Sequence, residues 1–140
     1  ACAMYKNILI AADGSENSLR ATQQAADIAS LLVDAKVELV SVIAIDVYSD
    51  MVYDPIEAHG EAQREILEGA SAILSDAGIN HEIVLLHGRP ADEIIRYAEE
   101  SGADLLVMGS RGLGALREFA LGSVSHKVLT HAKCPVLVVK

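Results

Sequence analysis

Three glycines and one serine carry the spacing that could do chemistry in this chain: Gly109, Gly112 and the pair Gly122-Ser123. Two residues separate the first two glycines, and nine separate Gly112 from Gly122. Gly109 follows an apolar run with strand character, and Gly122-Ser123 opens a helical pattern. Glycine lets backbone come close to a ligand, and a helix start offers unpaired N–H groups. Two such elements facing each other would make a phosphate cradle. Ser123 would add a hydroxyl and a backbone N–H to phosphate, or serve as an ordinary helix cap. Arg111 either clamps phosphate or faces water.

The elements that must position these residues alternate along the chain. Tyr5 to Ala12 reads as a buried strand ending at Asp13. Asp13-Gly-Ser-Glu-Asn-Ser is turn and cap chemistry, with Ser15 or Asn17 as the cap of a helix running to about Leu32. Leu19, Ala26, Ala29 and Leu32 or Val33 share its inner face. Val37–Ile45 is a second strand, and Asp46–Asp54 is polar and irregular. Pro55 starts a long helix to about Ala77, with Ile66, Leu67, Ala70, Ile73 and Leu74 inward and Gly78 as its stop. Ile83–Leu86 is a third strand. Pro90 opens a helix with Ile94, Ile95 and Ala98 inward, ended by Gly102. Leu105–Met108 is a fourth strand. Ser123 caps a last helix with Val124, Val128 and Leu129 inward, and Val136–Val139 is a fifth strand.

Such alternation means an α/β fold: a parallel sheet with helices on both faces, because parallel strands need crossovers. Ligands in open sheets of this class bind beyond the C-terminal strand ends, where strand order reverses. Asp13 and Gly109 end the first and fourth strands. If those strands are neighbours, both face one crevice.

Two familiar phosphate motifs are absent. Gly109 and Gly114 have P-loop spacing, but Ala115-Leu116 stand where Lys and Ser/Thr belong. Gly112-Leu-Gly114 is followed by Arg117 where a dinucleotide fingerprint needs its third glycine, and it follows the fourth strand instead of the first. The five histidines, His59, His81, His87, His126 and His131, show no metal spacing with a third ligand. No Ser/His/Asp order is compelling. Glu57, Glu61, Glu65 and Glu68 read as a solvated helix face.

Composition narrows the class. At 140 residues the chain fits one domain over 4–140, with Ala1-Cys2-Ala3 before Met4 read as a cloning remnant. That leaves Cys134 alone, a small packed residue, so no disulfide is expected within 4–140. No apolar run approaches the roughly 18 residues of a membrane span, and no basic-then-apolar leader is visible. A cytoplasmic location is expected. With 51% apolar residues, one Phe and no Trp, the core must be built from Ala, Val, Ile and Leu. The net charge of −9 argues against nucleic-acid and anionic-membrane partners. Residues 105–140 nevertheless carry +4, from Arg111, Arg117, Lys127, Lys133 and Lys140 against Glu118, which leaves −13 on residues 1–104. The glycine region is a basic island on an acidic protein, by chance or to attract an anion.

Taken together, Tyr5-Lys-Asn-Ile-Leu-Ile-Ala-Ala-Asp13-Gly-Ser, Asp104-Leu-Leu-Val-Met-Gly-Ser-Arg-Gly, Leu121-Gly-Ser-Val-Ser and Cys134-Pro-Val-Leu-Val-Val resemble the universal stress protein family, over essentially all of residues 4–140. The resemblance implies a doubly wound five-stranded sheet of order 3-2-1-4-5 and a homodimer. The glycine spacing resembles that of the family's ATP-binding branch. It implies that Gly109, Arg111, Gly112, Gly122, Ser123, Val124 and Ser125 surround ribose and phosphates. Asp13 and Val42 would flank adenine and ribose, with Ala11, Ala12 and Met108 as apolar walls. The ligand would be ATP, AMP or ADP. Asp13 would hold Mg²⁺ through water, hydrogen-bond the nucleotide, or cap a helix. Ala11-Ala12 depart from the Pro or Val and Thr or Val that members often carry there, which loosens the adenine wall and removes no phosphate contact.

The expected function is a nucleotide-binding regulatory dimer that signals to an unknown protein partner. The last strand, short, apolar and at the sheet edge, would pair with its copy. At most weak ATP hydrolysis or self-phosphorylation is expected. A related hydrolase loop, Ser-Gly-Gly-x-Asp-Ser, is replaced here by Ala12-Asp-Gly-Ser15. A nucleotide-free interaction module is the third reading.

Overall fold

The structure, a computed structural model, describes residues 5–44, 56–111 and 121–140, with the side chains of the second helix described from Gln63 onward. The elements run β1 (Asn7–Ala11), α1 (Glu16–Ser30), β2 (Lys36–Ala44), α2 (Ile56–Asp76), β3 (Glu82–Gly88), α3 (Pro90–Glu100), β4 (Leu105–Gly109), α4 (Ser123–His131) and β5 (Val136–Val139). The sheet order is β3-β2-β1-β4-β5, and every pairing is parallel. This is the expected doubly wound α/β architecture. The chain winds outward through β2 and β3, then returns to β4 on the other side of β1. The order therefore reverses between β1 and β4, so Asp13 and Gly109 flank the reversal point.

The central strands are apolar on both sides because helices cover both sides. Ile8 and Ile10 of β1 pack under α1 and α2, against Ala21, Ala25, Ala26, Ala29, Leu67, Ala70 and Leu74. Leu9 and Ala11 face Ala91, Ile94, Ala98 and Val128 of α3 and α4. The alanine stripe of α1 lets that helix lie close to the sheet, which is how a core with no Trp fills its space.

Helix ends follow local chemistry. Ser15 is the cap of α1, its Oγ accepting from Ser18 N–H at 3.1 Å, which decides between Ser15 and Asn17. Gly78, with φ +73°, ends α2 in a Schellman turn, Ile79 N–H reaching the Leu74 carbonyl at 2.9 Å.

Several inward assignments need correcting. Leu32 packs on the core, whereas Val33 is 77% exposed in the turn after α1. Leu129 is 48% exposed, because Ser125 and Val128, three apart, already define the buried face of α4. Ile66 is 39% exposed; Leu67, Ala70 and Leu74 hold the inner stripe of α2, and Ile66 lies at its rim over Gly14. Ser123 is not the cap of α4. Gly122 holds that place, and Ser123 is the first helical residue. The break at Asp46–Asp54, Pro55 as helix opener, and the side chains of Glu57, His59 and Glu61 lie outside the described residues.

Candidate functional site

A cleft of about 480 Å³ opens at the C-terminal edge of the sheet, over the point where strand order reverses. Its floor is Ala11, Ala12, Val40, Ser41, Val42, Met108 and Gly109, the ends of β1, β2 and β4. Asp13 and Ser18 form one wall, and Pro90 and Ile94 of α3 another. Arg111, Gly122, Ser123, Val124 and Ser125 close the fourth side. Of the twelve residues named from the sequence, eleven line this one cleft, and Gly112 lies outside the described residues.

The α4 side is built to offer backbone donors. His126 N–H donates to the Gly122 carbonyl at 2.8 Å, which starts the helical ladder. The N–H groups of Ser123, Val124 and Ser125 precede that ladder and have no helical partner. Gly122 N–H itself donates to the Ser110 carbonyl at 2.8 Å, so the donors for an anion begin at Ser123. Gly122 has φ −64°, an ordinary value for any residue. A glycine there gives close approach and no special backbone conformation. Ser123 is exposed at the rim. Ser125 is buried, and its hydroxyl donates to the Gly109 carbonyl at 2.7 Å, so that side chain holds the cleft wall together.

Gly109 has a packing reason for being glycine. A Cβ there would stand 2.8 Å from Asn17 Cβ and 2.9 Å from the Asn17 carbonyl carbon. The start of α1 presses directly on the end of β4, and glycine allows it.

The Asp13 turn is closed by its own hydrogen bonds. Asp13 Oδ1 accepts from Ser15 N–H at 2.9 Å, and Asp13 N–H donates to Ser18 Oγ at 3.3 Å. On the opposite side, Lys127 of α4 pairs with Asp92 in the first turn of α3 at 2.6 Å and holds its carboxyl below the ordinary range. That pair joins the two helices whose first turns face the cleft.

Ser18, Val40, Ser41, Pro90 and Ile94 line the cleft without having been named from the sequence. Val40 was legible: it lies two residues before Val42, on the same strand face. Pro90 was legible too, because every helix in a parallel sheet starts at the edge where the preceding strand ends. Ser18 and Ser41 gave no signal.

Among the described residues, no three His, Cys, Asp or Glu side chains converge as a metal site. One serine–histidine contact forms that sequence reading did not find: Ser71 Oγ and His81 Nε2 are 2.7 Å apart, with His81 Nδ1 on the Ile79 carbonyl. Neither residue lines the cleft. Cys134 is half-buried and packed against the α3–α4 side of the core, and burial pushes its thiol up.

Fold and site together define a doubly wound α/β domain with a ligand-sized crevice at its strand-order reversal, rimmed by helix N-termini. The family model described as the universal stress protein family matches residues 4–140, and the chain belongs to that family. Universal stress protein YxiE of Bacillus subtilis (strain 168) is 36% identical over 148 residues, covering 98% of this chain and 100% of that protein. A universal stress protein solved in complex with cAMP superposes with a TM-score of 0.77 at 30% identity, over 98% of both chains. The universal stress protein from Archaeoglobus fulgidus in complex with dAMP gives 0.75 at 28% identity, over 98% of this chain and 99% of that one.

Proposed function

We propose that this protein binds an adenine nucleotide, ATP or its AMP and ADP products, in the cleft between β1 and β4. It would act as a regulatory homodimer in the cytoplasmic stress response. The observation that carries the reading is the convergence of Asp13, Gly109, Arg111 and the free first turn of α4 on one 480 Å³ cleft with an apolar floor. The base would lie on Ala11, Ala12, Val42 and Met108, and the ribose beside Asp13. The phosphates would meet Ser123, Val124 and Ser125 N–H at the positive end of α4. Arg111 would add charge on the same side. The solved relatives with cAMP and dAMP support this ligand class.

Mg²⁺ would enter with ATP. Mg²⁺ typically takes one or two carboxylates plus phosphates and water, and Asp13 is the carboxylate among the lining residues. Asp13 would hold the ion through water, and the ion would neutralise phosphate charge.

Binding, in this reading, is the output. Nucleotide occupies the cleft beside the first turn of α4, and a protein partner reads that occupied state. Among the described residues, no His or Glu lines the cleft, and hydrolysis is expected to stay far below roughly one turnover per second. Native mass spectrometry of the purified protein should find bound ATP, ADP or AMP, and titration calorimetry should show saturable Mg-ATP binding. Bare protein that also fails to titrate would sink the reading. Rapid, Asp13-dependent phosphate release in a malachite green assay would replace it with an enzyme.

A further inference from the structure

We propose that Asn17 is a positioning residue for the phosphate side of the cleft, acting through Ser110. This deepens the nucleotide reading above and rests on it. Asn17 does not line the cleft. It lies in the first turn of α1, is only 5% exposed, and carries a polar amide that needs partners. Its Nδ2 donates to Ser110 Oγ at 3.1 Å. Its Oδ1 accepts from the Arg20 guanidinium, which fixes the amide orientation, since a guanidinium can only donate. Arg20 Nε in turn donates to the Lys140 carbonyl at 2.9 Å.

Ser110 is the first residue after β4 and is gripped on three sides. Its N–H donates to the Val139 carbonyl at 2.7 Å, its carbonyl accepts Gly122 N–H at 2.8 Å, and its hydroxyl accepts from Asn17. The Ser110–Gly122 bond sets the distance between the end of β4 and the first turn of α4. Asn17 also bounds the position of β4, because its backbone leaves no room for a Cβ on Gly109. One side chain outside the cleft therefore locates Ser110, and Ser110 locates the N–H groups that would meet phosphate.

The test is a double-mutant cycle read with two ligands, ATP and adenosine, which lacks phosphate. Asn17→Ala and Ser110→Ala should each weaken Mg-ATP binding about five- to tenfold, the scale of one hydrogen bond. The double variant should lose no more than either single one. Adenosine should bind within about twofold of the unaltered protein throughout. Asn17→Asp keeps the Arg20 pair and lets the Ser110 hydroxyl donate instead, so it should restore most ATP affinity. Ser110→Ala retains both backbone bonds, so it reports on the proposal even if Asn17→Ala fails to fold. Unchanged ATP affinity in Ser110→Ala, additive losses, or parallel loss of adenosine and ATP would overturn the positioning role. If the unaltered protein binds neither ligand, the nucleotide reading fails, and this proposal with it.

Discussion

Ser125 Oγ donates to the carbonyl oxygen of Gly109 at 2.7 Å, joining the first turn of α4 to the last residue of β4. The bond is buried and spans the floor and rim of the cleft. Ser125→Ala removes the only side-chain donor given to that carbonyl among the described residues. It should lower stability by about 1–3 kcal/mol, the cost of an unsatisfied buried acceptor. Urea unfolding followed by circular dichroism would measure it, and an unchanged midpoint would show that the bond contributes nothing.

Gly109→Ala should be costly for a reason unrelated to ligand. The new methyl would meet Asn17 backbone at 2.9 Å, and backbone in a packed helix yields poorly. Overpacking of this kind costs about 1–3 kcal/mol. The loss should be the same with and without saturating nucleotide bound in the assay buffer, after correction for the affinity change.

At Gly122 the expectation is the reverse. Its φ of −64° suits any residue, and it has no side-chain cap to lose. Gly122→Val should therefore leave the fold and dimer intact while abolishing measurable Mg-ATP binding, because bulk enters the cleft at the helix start. Ser123→Ala should weaken binding by about 1–3 kcal/mol if its hydroxyl meets a charged oxygen. Arg111→Ala tests the charge on the same side. Calorimetric titration decides all three, and full affinity in Gly122→Val would move the phosphate site elsewhere.

Tyr97 supplies a pH dependence. Its hydroxyl donates to the carboxylate of Glu38, a buried acid on β2, and that partner pushes the phenol up to about 12. A folded-state value above the unfolded value of about 10 stabilises the native state at pH below 10. That contribution should fade as pH rises from about 10 to about 12. Tyr97→Phe should remove it, so the stability difference between the two proteins should shrink over the same interval. A difference that stays constant across it would exclude the linkage.

The homodimer prediction rests on β5. It is one of the two edge strands of the sheet, paired to β4 alone among the described residues. Val136 and Val138 pack toward α3 and α4, Leu137 and Val139 toward α1 and α2, and all four are half-buried. A strand apolar on both faces with one open edge invites a copy of itself. Light scattering at micromolar concentration should give twice the chain mass. Val138→Asp or Val136→Asp should shift it toward monomer. A urea midpoint for each variant separates that shift from simple unfolding.

Much was determined by the sequence alone. Alternating apolar runs and cap residues specify every element to within a few residues, because strand and helix periodicity and turn chemistry are local. The ordered motifs also named Asp13, Gly109 and Gly122-Ser123 as neighbours, since parallel crossovers bring every strand end to one edge. Packing decided the rest. Asn17 looked like a rival cap and proved to leave no room for a Cβ on Gly109, a contact between residues 92 positions apart. Ser125 looked like a phosphate ligand, and its hydroxyl belongs to Gly109. Ile66 and Leu129 fit helical periodicity and yet face outward, because periodicity gives a stripe and only the neighbouring elements set its width. Ile94 became part of a cleft wall because α3 packs beside α4, a relation of distant segments that no local pattern encodes.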